Sequence, residues 1–300
     1  MEPTVHYKAS KLKKIQHILE IVFVLLFFMP LKLLGYKNNV RIYRFISRYI
    51  AKIPAFKKRA LKNLEYVYSD LSSEERDKIA VESCVNLGNV AADFIFARTL
   101  FYKKENITFE GLEILDALKE KNQNAIFFSG HIATWEIFRI AAHQQGLDVA
   151  MIYRAFNNPY FDSLARYLMD YGFAPVFQKG TAGVKKMMRY LRNNGNILIL
   201  TDQRLSGGAD IPFFGKNAKT APSVAEISLK YDIPLIPIFV KRDGVGKFVI
   251  SIQKQLRCDQ EYLDKSQKVN ALLEMMNQTL EKHIREYPNE WFWLHRRWKH

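Results

Sequence analysis

The chain has 300 residues, of which 48% are hydrophobic, and this length and composition allow one compact domain with a sizeable buried core. Its two cysteines, Cys84 and Cys258, belong to no Cys-x-x-Cys or Cys/His cluster, which excludes a disulfide framework and a cysteine-based zinc site and fits a reducing compartment. The formal charge of +15 indicates anionic partners: nucleic acid, anionic lipid, a phosphorylated substrate or an acidic carrier protein.

The first predicted element is an apolar segment near the N-terminus. Residues 15–34 read IQHILEIVFVLLFFMPLKLL, and the charge-free stretch of residues 21–31 is shorter than the roughly 20 apolar residues of a typical membrane-spanning helix. Basic residues flank both ends, so positive charge gives no crossing direction. No small-residue cleavage site of a signal peptide follows. We predict an uncleaved membrane anchor over residues 1–36 at the cytoplasmic face of the membrane; the alternative is a buried core helix.

The remaining elements predict an α/β domain over residues 37–300. Residues 40–105 look helical, with a Ser-x-x-Glu capping signal at Ser72 and Glu75. From residue 107 onward, apolar runs alternate with amphipathic segments. Predicted strands are residues 124–130, 149–154, 175–178, 196–202, 234–240 and 247–253, and predicted helices are residues 133–145, 159–171, 182–193, 222–231 and 260–287, with a long Gly/Pro loop before residue 222. Such alternation predicts a mostly parallel central sheet covered by helices.

Three polar residues follow predicted strands: His131, Arg154 and Asp202. Ligands of such sheets bind beyond the carboxyl ends of the strands, so these side chains are candidates for a functional site. His131 also follows Gly130, where the backbone can approach a ligand closely.

His131 has an acidic residue five positions later, Glu136, and the same spacing recurs at His143 and Asp148. With His131 in a turn and Glu136 on a helix, the carboxylate can reach back, orient the imidazole and stabilise the imidazolium. Asp148 lies beyond Gly146, the predicted helix end, so we expect His143 and Asp148 not to converge. Neither a GxSxG elbow nor a P-loop is present. We therefore predict that His131, paired with Glu136, is a general base that activates a hydroxyl.

The segment SGHIATWE, residues 129–136, resembles the His-x4-Glu/Asp motif of the late lipid A acyltransferases, a family of the lysophospholipid acyltransferase-like group. Four further segments are similar to that family in the same order: YRAFNNPYFD (153–162), TDQ (201–203), IPFFGKNAKTAPSVAEIS (211–228) and the closing WFWLHRRWK. The N-terminal third resembles the family only in its general organisation, a membrane-anchoring segment followed by helices. The letters IATW depart from the Gly-Asn or Leu-Thr pair that is common in the family.

The resemblance implies transfer of a fatty acyl chain from acyl carrier protein, or from coenzyme A, to a hydroxyl of a lipid A precursor at the inner membrane. It implies no cofactor and no metal ion. Arg154 would face developing negative charge or a substrate phosphate, or form a structural salt bridge, and Asp202 would hold Arg154, complete the site or anchor a loop. The other candidate substrate-binding residues are Asn157, Asn158, Gln203, Phe213 and Phe214, of which the asparagines also suit a turn and the phenylalanines would line an acyl channel.

Basic residues beside apolar or aromatic ones suit a membrane surface better than a nucleic-acid groove. Lys185, Arg189 and Arg192 share one predicted helix face, which would contact an acidic carrier protein or anionic lipid. The tail NEWFWLHRRWKH, residues 289–300, combines tryptophans with cations. It fits either a membrane interface or a tail folded onto the core.

Two rival functions stay open at this point. An acyltransferase for another acceptor, lysophosphatidate or a mannosylated phosphoinositide, would use the same base and a similar anchor. A non-enzymatic basic protein bound to membrane or nucleic acid would leave the polar residues at the strand ends unexplained.

Overall fold

The computed structural model of the protein describes residues 10–101, 106–258 and 263–299. Its α-helices in chain order are α1 (Lys11–Phe27), α2 (Gly35–Ala51), α3 (Pro54–Val67), α4 (Ser73–Phe101), α5 (Leu112–Glu120), α6 (Ile137–Gln144), α7 (Pro159–Met169), α8 (Thr181–Arg192), α9 (Ser223–Tyr231) and α10 (Lys265–Glu286). Its strands are β1 (Ile107–Glu110), β2 (Ile126–Ser129), β3 (Val149–Tyr153), β4 (Val176–Gln178), β5 (Asn196–Leu200), β6 (Ala209–Phe213), β7 (Lys216–Thr220), β8 (Leu235–Arg242) and β9 (Phe248–Ile252).

Seven strands form one sheet in the order β1-β9-β8-β2-β5-β3-β4. Neighbouring strands run parallel except β8 and β9, which pair antiparallel. The predicted α/β fold with a mostly parallel sheet is therefore confirmed. The central strand β2 is buried along its whole length between β5 and β8, as expected for a continuous apolar run covered on both faces.

Alternate residues of β2 separate the core into two layers, because successive side chains of a strand point to opposite faces. Ile126 and Phe128 pack in the layer that contains buried residues of α10, such as Leu280. Phe127 packs in the opposite layer, with its ring centroid 4.9 Å from that of Phe138 on α6. The two layers hold the carboxyl end of β2 in place between them.

Two local expectations were wrong. The predicted Gly/Pro loop contains the antiparallel hairpin β6–β7, turned by Phe214 and Gly215, which both have positive φ, as two-residue hairpin turns require. The helix predicted from residue 133 begins only at Ile137. Ala133 has φ 43°, a left-handed conformation that does not continue a right-handed helix.

The apolar N-terminal segment forms an exposed helix rather than a buried core helix. In α1, Leu19, Phe23, Leu26 and Phe27 are exposed. A 3-10 turn over Pro30–Leu34 connects α1 to α2. By length and composition, the stretch Lys11–Ala51 is able to cross a membrane, and none of its most apolar window is buried. The long helix α4 passes the same test, but about half of its window is buried.

The predicted capping box at the start of α4 is present. The Ser72 backbone N–H donates to Glu75 Oε2 at 2.8 Å, and the Glu75 backbone N–H donates to Ser72 Oγ at 3.2 Å. We expect Ser72→Ala to lower the free energy of unfolding by about 1 kcal/mol, because it leaves a helix N–H uncapped. Thermal unfolding followed by circular dichroism measures this effect. Ser73→Ala, one position further, is the control, and equal losses in the two variants would contradict the assignment of the cap.

Candidate active site

Sheet register brings His131 and Asp202 together. β2 and β5 are adjacent and parallel, with Ser129 opposite Leu200. His131 follows Ser129 by two positions, and Asp202 follows Leu200 by two positions. The carboxyl ends of parallel neighbours meet at one edge, and there His131 Nδ1 lies 2.7 Å from Asp202 Oδ1. Gly130 permits this approach, because a Cβ atom there would lie 3.2 Å from Asp202 Oδ2.

The Asp202 carboxylate is fully buried, and hydrogen-bond donors surround it. Its Oδ2 accepts from the His131 backbone N–H and from Trp291 Nε1, each at 2.8 Å. Burial alone would raise the pKa of Asp202, but the charge of His131 and its hydrogen bonds hold that pKa well below its usual value. Asp202 is therefore an ionised acceptor. In the neutral imidazole, His131 Nδ1 therefore carries the proton that it donates to Asp202, and the Nε2 lone pair points away from the carboxylate.

His131 borders a cavity of about 90 Å³ between α4 and the turn after β2. Ser83 and Leu87 of α4 line one side, and Trp135 and Phe292 line the other. The side chain of His131 is 19% exposed, so a hydroxyl can reach its ring. The arrangement of a buried carboxylate, an oriented imidazole and an adjacent cavity suits general-base chemistry.

The predicted pairing of His131 with Glu136 is wrong. Glu136 is buried and forms a 2.5 Å ion pair with Arg139 Nη1. Arg139 in turn donates to the carbonyl oxygens of Val149 and Met169 at 2.9 and 3.1 Å. The residues between His131 and Glu136 form an irregular turn with a left-handed Ala133, which directs Glu136 away from His131. Burial raises the pKa of Glu136, against the opposing charge of Arg139.

The expectation for His143 and Asp148 was also wrong. His143 Nδ1 lies 2.6 Å from Asp148 Oδ1, because Gly146, with φ 81°, reverses the chain and returns Asp148 toward the helix end. The pair lies before β3, at the amino edge of the sheet and away from His131.

The predicted substrate-binding residues lie in three different environments. Arg154 and Asn157 are exposed after β3. Asn158 is buried, caps α7, and donates to the His17 carbonyl oxygen and to Glu20 Oε2 of α1, both at 2.9 Å. Asn158 is thus a structural link, and Asp202 holds His131 rather than Arg154.

Gln203 lies at the candidate site, and the two phenylalanines do not. Gln203 Nε2 is 3.4 Å from His131 Nε2. Phe213 and Phe214 are buried, with Phe213 stacked on Trp298 at 5.6 Å and Phe214 on Trp291 at 6.4 Å between ring centroids. Both rings form part of the core instead of an open acyl channel.

The C-terminal tail folds onto the core, which decides between the two interpretations of its sequence. Trp291 and Trp293 are completely buried. The Phe292 backbone N–H donates to the His131 carbonyl oxygen at 3.1 Å, and the His295 ring lies 4.6 Å from the His131 ring. Burial, followed by the charge of His131, lowers the pKa of His295 to about 3. The sequence indicated this tail by its tryptophans but gave no sign that it contacts His131.

A buried polar network holds the other side of the turn. Asp93 of α4 pairs with Arg242 of β8 at 2.5 Å and accepts a hydrogen bond from Tyr36 at 2.6 Å. It also accepts from Thr134 at 2.5 Å, and Thr134 lies three residues after His131. Sequence reasoning missed this network, since its members are far apart in the chain.

Ligating atoms of His131, Asp202 and His295 lie within 4.8 Å of one another, and among the described residues these three form the group able to hold a metal ion. The 2.7 Å hydrogen bond between His131 and Asp202 already occupies His131 Nδ1 and Asp202 Oδ1. A contact of this kind suits a base and its orienting carboxylate.

Comparison with known proteins gives the family. A model of bacterial lipid A biosynthesis acyltransferases matches residues 8–300. The chain belongs to this family. It is 25% identical over 264 residues to lipid A biosynthesis acyltransferase 2 of Shigella flexneri, covering 83% of this chain and 80% of that protein. It is 22% identical over 245 residues to the lipid A biosynthesis myristoyltransferase of Escherichia coli, covering 79% and 73%. Family membership makes the protein an acyltransferase and removes the non-enzymatic alternative.

The buried pair of Glu136 and Arg139 predicts a structural effect. We expect Glu136→Gln to lower the free energy of unfolding by about 3 kcal/mol, because it leaves a buried guanidinium without its counter-charge. Thermal unfolding of the detergent-purified protein measures the loss. The exposed His143–Asp148 pair provides the control, since Asp148→Asn should cost less than about 1 kcal/mol. An unfolding temperature of Glu136→Gln equal to that of the wild type would contradict the structural role.

Two buried histidines predict loss of stability in acid. Burial lowers the pKa of His283 to about 4, and that of His295 to about 3. In the unfolded chain both take up protons near pH 6.5, so the unfolded state binds more protons as the pH falls from about 6.5 toward 4. Stability should then decrease by up to about 1.4 kcal/mol per pH unit for each histidine.

The variant His283→Phe separates one of these contributions, because His283 stacks flat on Phe239 and lies outside the candidate site. Its unfolding temperature should fall less steeply than that of the wild type between pH 6.5 and 4.5. Parallel curves for the two proteins would show that His283 is not kept neutral by the fold.

Proposed function

We propose that the protein transfers a fatty acyl chain from the thioester of acyl carrier protein to a hydroxyl of a lipid A precursor, with His131 as the general base. The observation that carries the proposal is the 2.7 Å contact between His131 Nδ1 and the buried Asp202 carboxylate, beside a cavity that reaches the His131 ring. Membership of the family supplies the acceptor class. The name of one relative, a myristoyltransferase, supports a fatty acyl donor.

In the proposed step, His131 Nε2 removes the hydroxyl proton as the oxygen attacks the thioester carbonyl. The carbon–sulfur bond then breaks, and the imidazolium returns its proton to the leaving thiolate. Asp202 stabilises the imidazolium and fixes the ring orientation. No covalent intermediate on the enzyme is needed, and the products are the ester and the free thiol.

The remaining site residues have proposed positioning roles. Gln203 lies next to Nε2, where it would orient the acceptor hydroxyl. Arg154 and Asn157 are exposed beyond β3, at the same edge of the sheet, and would contact a substrate phosphate. An excess of positive charge favours both an acidic carrier protein and a phosphorylated acceptor.

We also propose that α1 anchors the enzyme in the inner membrane, with the active site on the cytoplasmic side. Its exposed apolar side chains support this assignment. The lipid acceptor and the anchor would then share one bilayer.

Three variants separate the roles of the two candidate carboxylates. We expect His131→Ala and Asp202→Asn to lower turnover by about 10²–10⁴-fold, because the base is lost or loses its orientation. Glu136→Gln, assayed below its unfolding temperature, should retain turnover within about tenfold, since Glu136 contacts Arg139 and not His131. Purified protein with acyl carrier protein thioester and lipid A precursor, read out by mass spectrometry, gives these rates.

Circular dichroism of each variant serves as the folding control. A folded Asp202→Asn enzyme with wild-type turnover would reject the proposed pair. Coenzyme A thioester as donor, and lysophosphatidate or a mannosylated phosphoinositide as acceptor, complete the assay. Faster transfer to either of those acceptors would replace the proposed substrate.

A further inference from the structure

Positive charge is concentrated in one segment that has no role in the proposed catalytic step. Residues 35–63 contain nine lysines and arginines and no aspartate or glutamate. The whole chain has 45 lysines and arginines in 300 residues. The density in this segment is therefore about twice the average. The nine are Lys37, Arg41, Arg44, Arg48, Lys52, Lys57, Lys58, Arg59 and Lys62.

The helix α2 turns one face inward and a cationic face outward. Asn39, Val40 and Tyr43 are buried on the inner face. At 100° per residue, Arg41, Phe45, Tyr49 and Lys52 lie together on the opposite side. Phe45 is 63% and Tyr49 55% exposed, with ring centroids 4.6 Å apart.

The start of α3 extends this surface, with Ile53 and Phe56 exposed beside Lys58 and Arg59. We call the solvent-exposed side chains of residues 41–59 the α2–α3 corner.

Most of this charge is not neutralised by the fold. Within the ranges that the structure describes, carboxylates pair with Arg48, through Glu82, and with Lys57, through Asp77. Lys52 lies 4.8 Å above the Tyr49 ring. A surface with many cations, interleaved with half-exposed rings and aliphatic side chains, needs a partner that is anionic and partly apolar.

The chain connection indicates which partner this is. The corner follows directly on α1 and the 3-10 turn, where Leu33 is 89% exposed. Phe28 at the end of α1 stacks on Tyr43 of α2, with ring centroids 5.7 Å apart. An anionic bilayer offers phosphate groups for the cations and an interfacial layer for aromatic rings. It also lies beside the corner if α1 enters it.

We propose that the α2–α3 corner is a second membrane-contacting surface, which binds the headgroups of anionic phospholipids while α1 occupies the apolar layer. This surface fixes the rotation of the domain against the bilayer, which a single helix connection does not. The inference rests on the proposed membrane association of α1.

Probes attached at single cysteines test the proposal on the full chain in lipid nanodiscs. The native cysteines are replaced as Cys84→Ala and Cys258→Ser. An environment-sensitive fluorophore is then attached at Tyr49→Cys in the corner, at Phe23→Cys in α1, or at Lys121→Cys after α5. Spin-labelled lipids that quench at headgroup depth or at acyl-chain depth are included in discs with and without phosphatidylglycerol.

The probe at position 49 should be quenched at least twofold by the headgroup-depth label, and only in discs that contain phosphatidylglycerol. High salt should weaken that quenching, since the contact is electrostatic. The probe at position 23 should respond to the acyl-chain label in both kinds of disc, and the probe at position 121 to neither label.

Charge removal provides the matched control. The combined change Arg41→Gln, Arg44→Gln and Lys52→Gln should abolish quenching at position 49 and leave that at position 23. Removing three exposed lysines elsewhere, as Lys230→Gln, Lys254→Gln and Lys265→Gln, should change neither.

Each outcome decides between the two membrane contacts. A quenched probe at position 23 with an unquenched probe at position 49 rejects the corner and retains the anchor. Two unquenched probes reject the anchor as well. Shielding of position 49 by an acidic carrier protein, without lipid quenching, would assign the surface to a protein partner and overturn the proposal.

Discussion

One buried carboxylate organises the candidate active site. Asp202 lies at the carboxyl end of β5 with no exposed surface, and a buried charge of this kind is costly unless donors surround it. The three donors come from two parts of the chain: the ring and the backbone N–H of His131 after β2, and the Trp291 indole of the tail. The strands β2 and β5 must therefore be in register and the C-terminal tail must be docked before the carboxylate is satisfied. The fold and the orientation of the imidazole thus depend on the same hydrogen bonds.

The tail is held by polar side chains of the helices that cover it. Asn63 of α3 donates to the carbonyl oxygens of Trp293 and His295 at 2.6 and 2.8 Å. Ser83 of α4 donates to the Trp291 carbonyl oxygen at 2.6 Å. These bonds satisfy backbone carbonyl groups of a tail that, from Trp291 onward, belongs to no helix or strand and is largely shielded from water. Since α4 also lines the cavity next to His131, one helix both fixes the tail and forms a wall of the candidate site.

The sequence predicted the sheet and the strand ends well, because apolar runs and turn residues are local signals. It placed His131 and Asp202 at the same edge, yet it assigned Glu136 as the partner of the imidazole. The carboxylate five positions away was visible in the sequence, whereas the contact across 71 residues depends on the strand order. The left-handed turn at Ala133, which directs Glu136 toward Arg139, has no signature in the letters IATW. The docked tail was one of two open interpretations for the same reason, since tryptophans beside cations suit an interface and a core equally well.

The Asn157-Asn158-Pro159 segment connects the exposed apolar helix to the sheet edge that carries the candidate site. Asn158 caps α7 with its side-chain oxygen and binds the middle of α1 with its side-chain nitrogen. Because α7 begins after the carboxyl end of β3, this contact holds α1 at the edge of the sheet where His131 and Asp202 lie. A bilayer that receives α1 is then next to the edge where chemistry would occur. The polar contact of Asn158 with α1 thus gives this asparagine a structural role in holding the apolar helix at the candidate site.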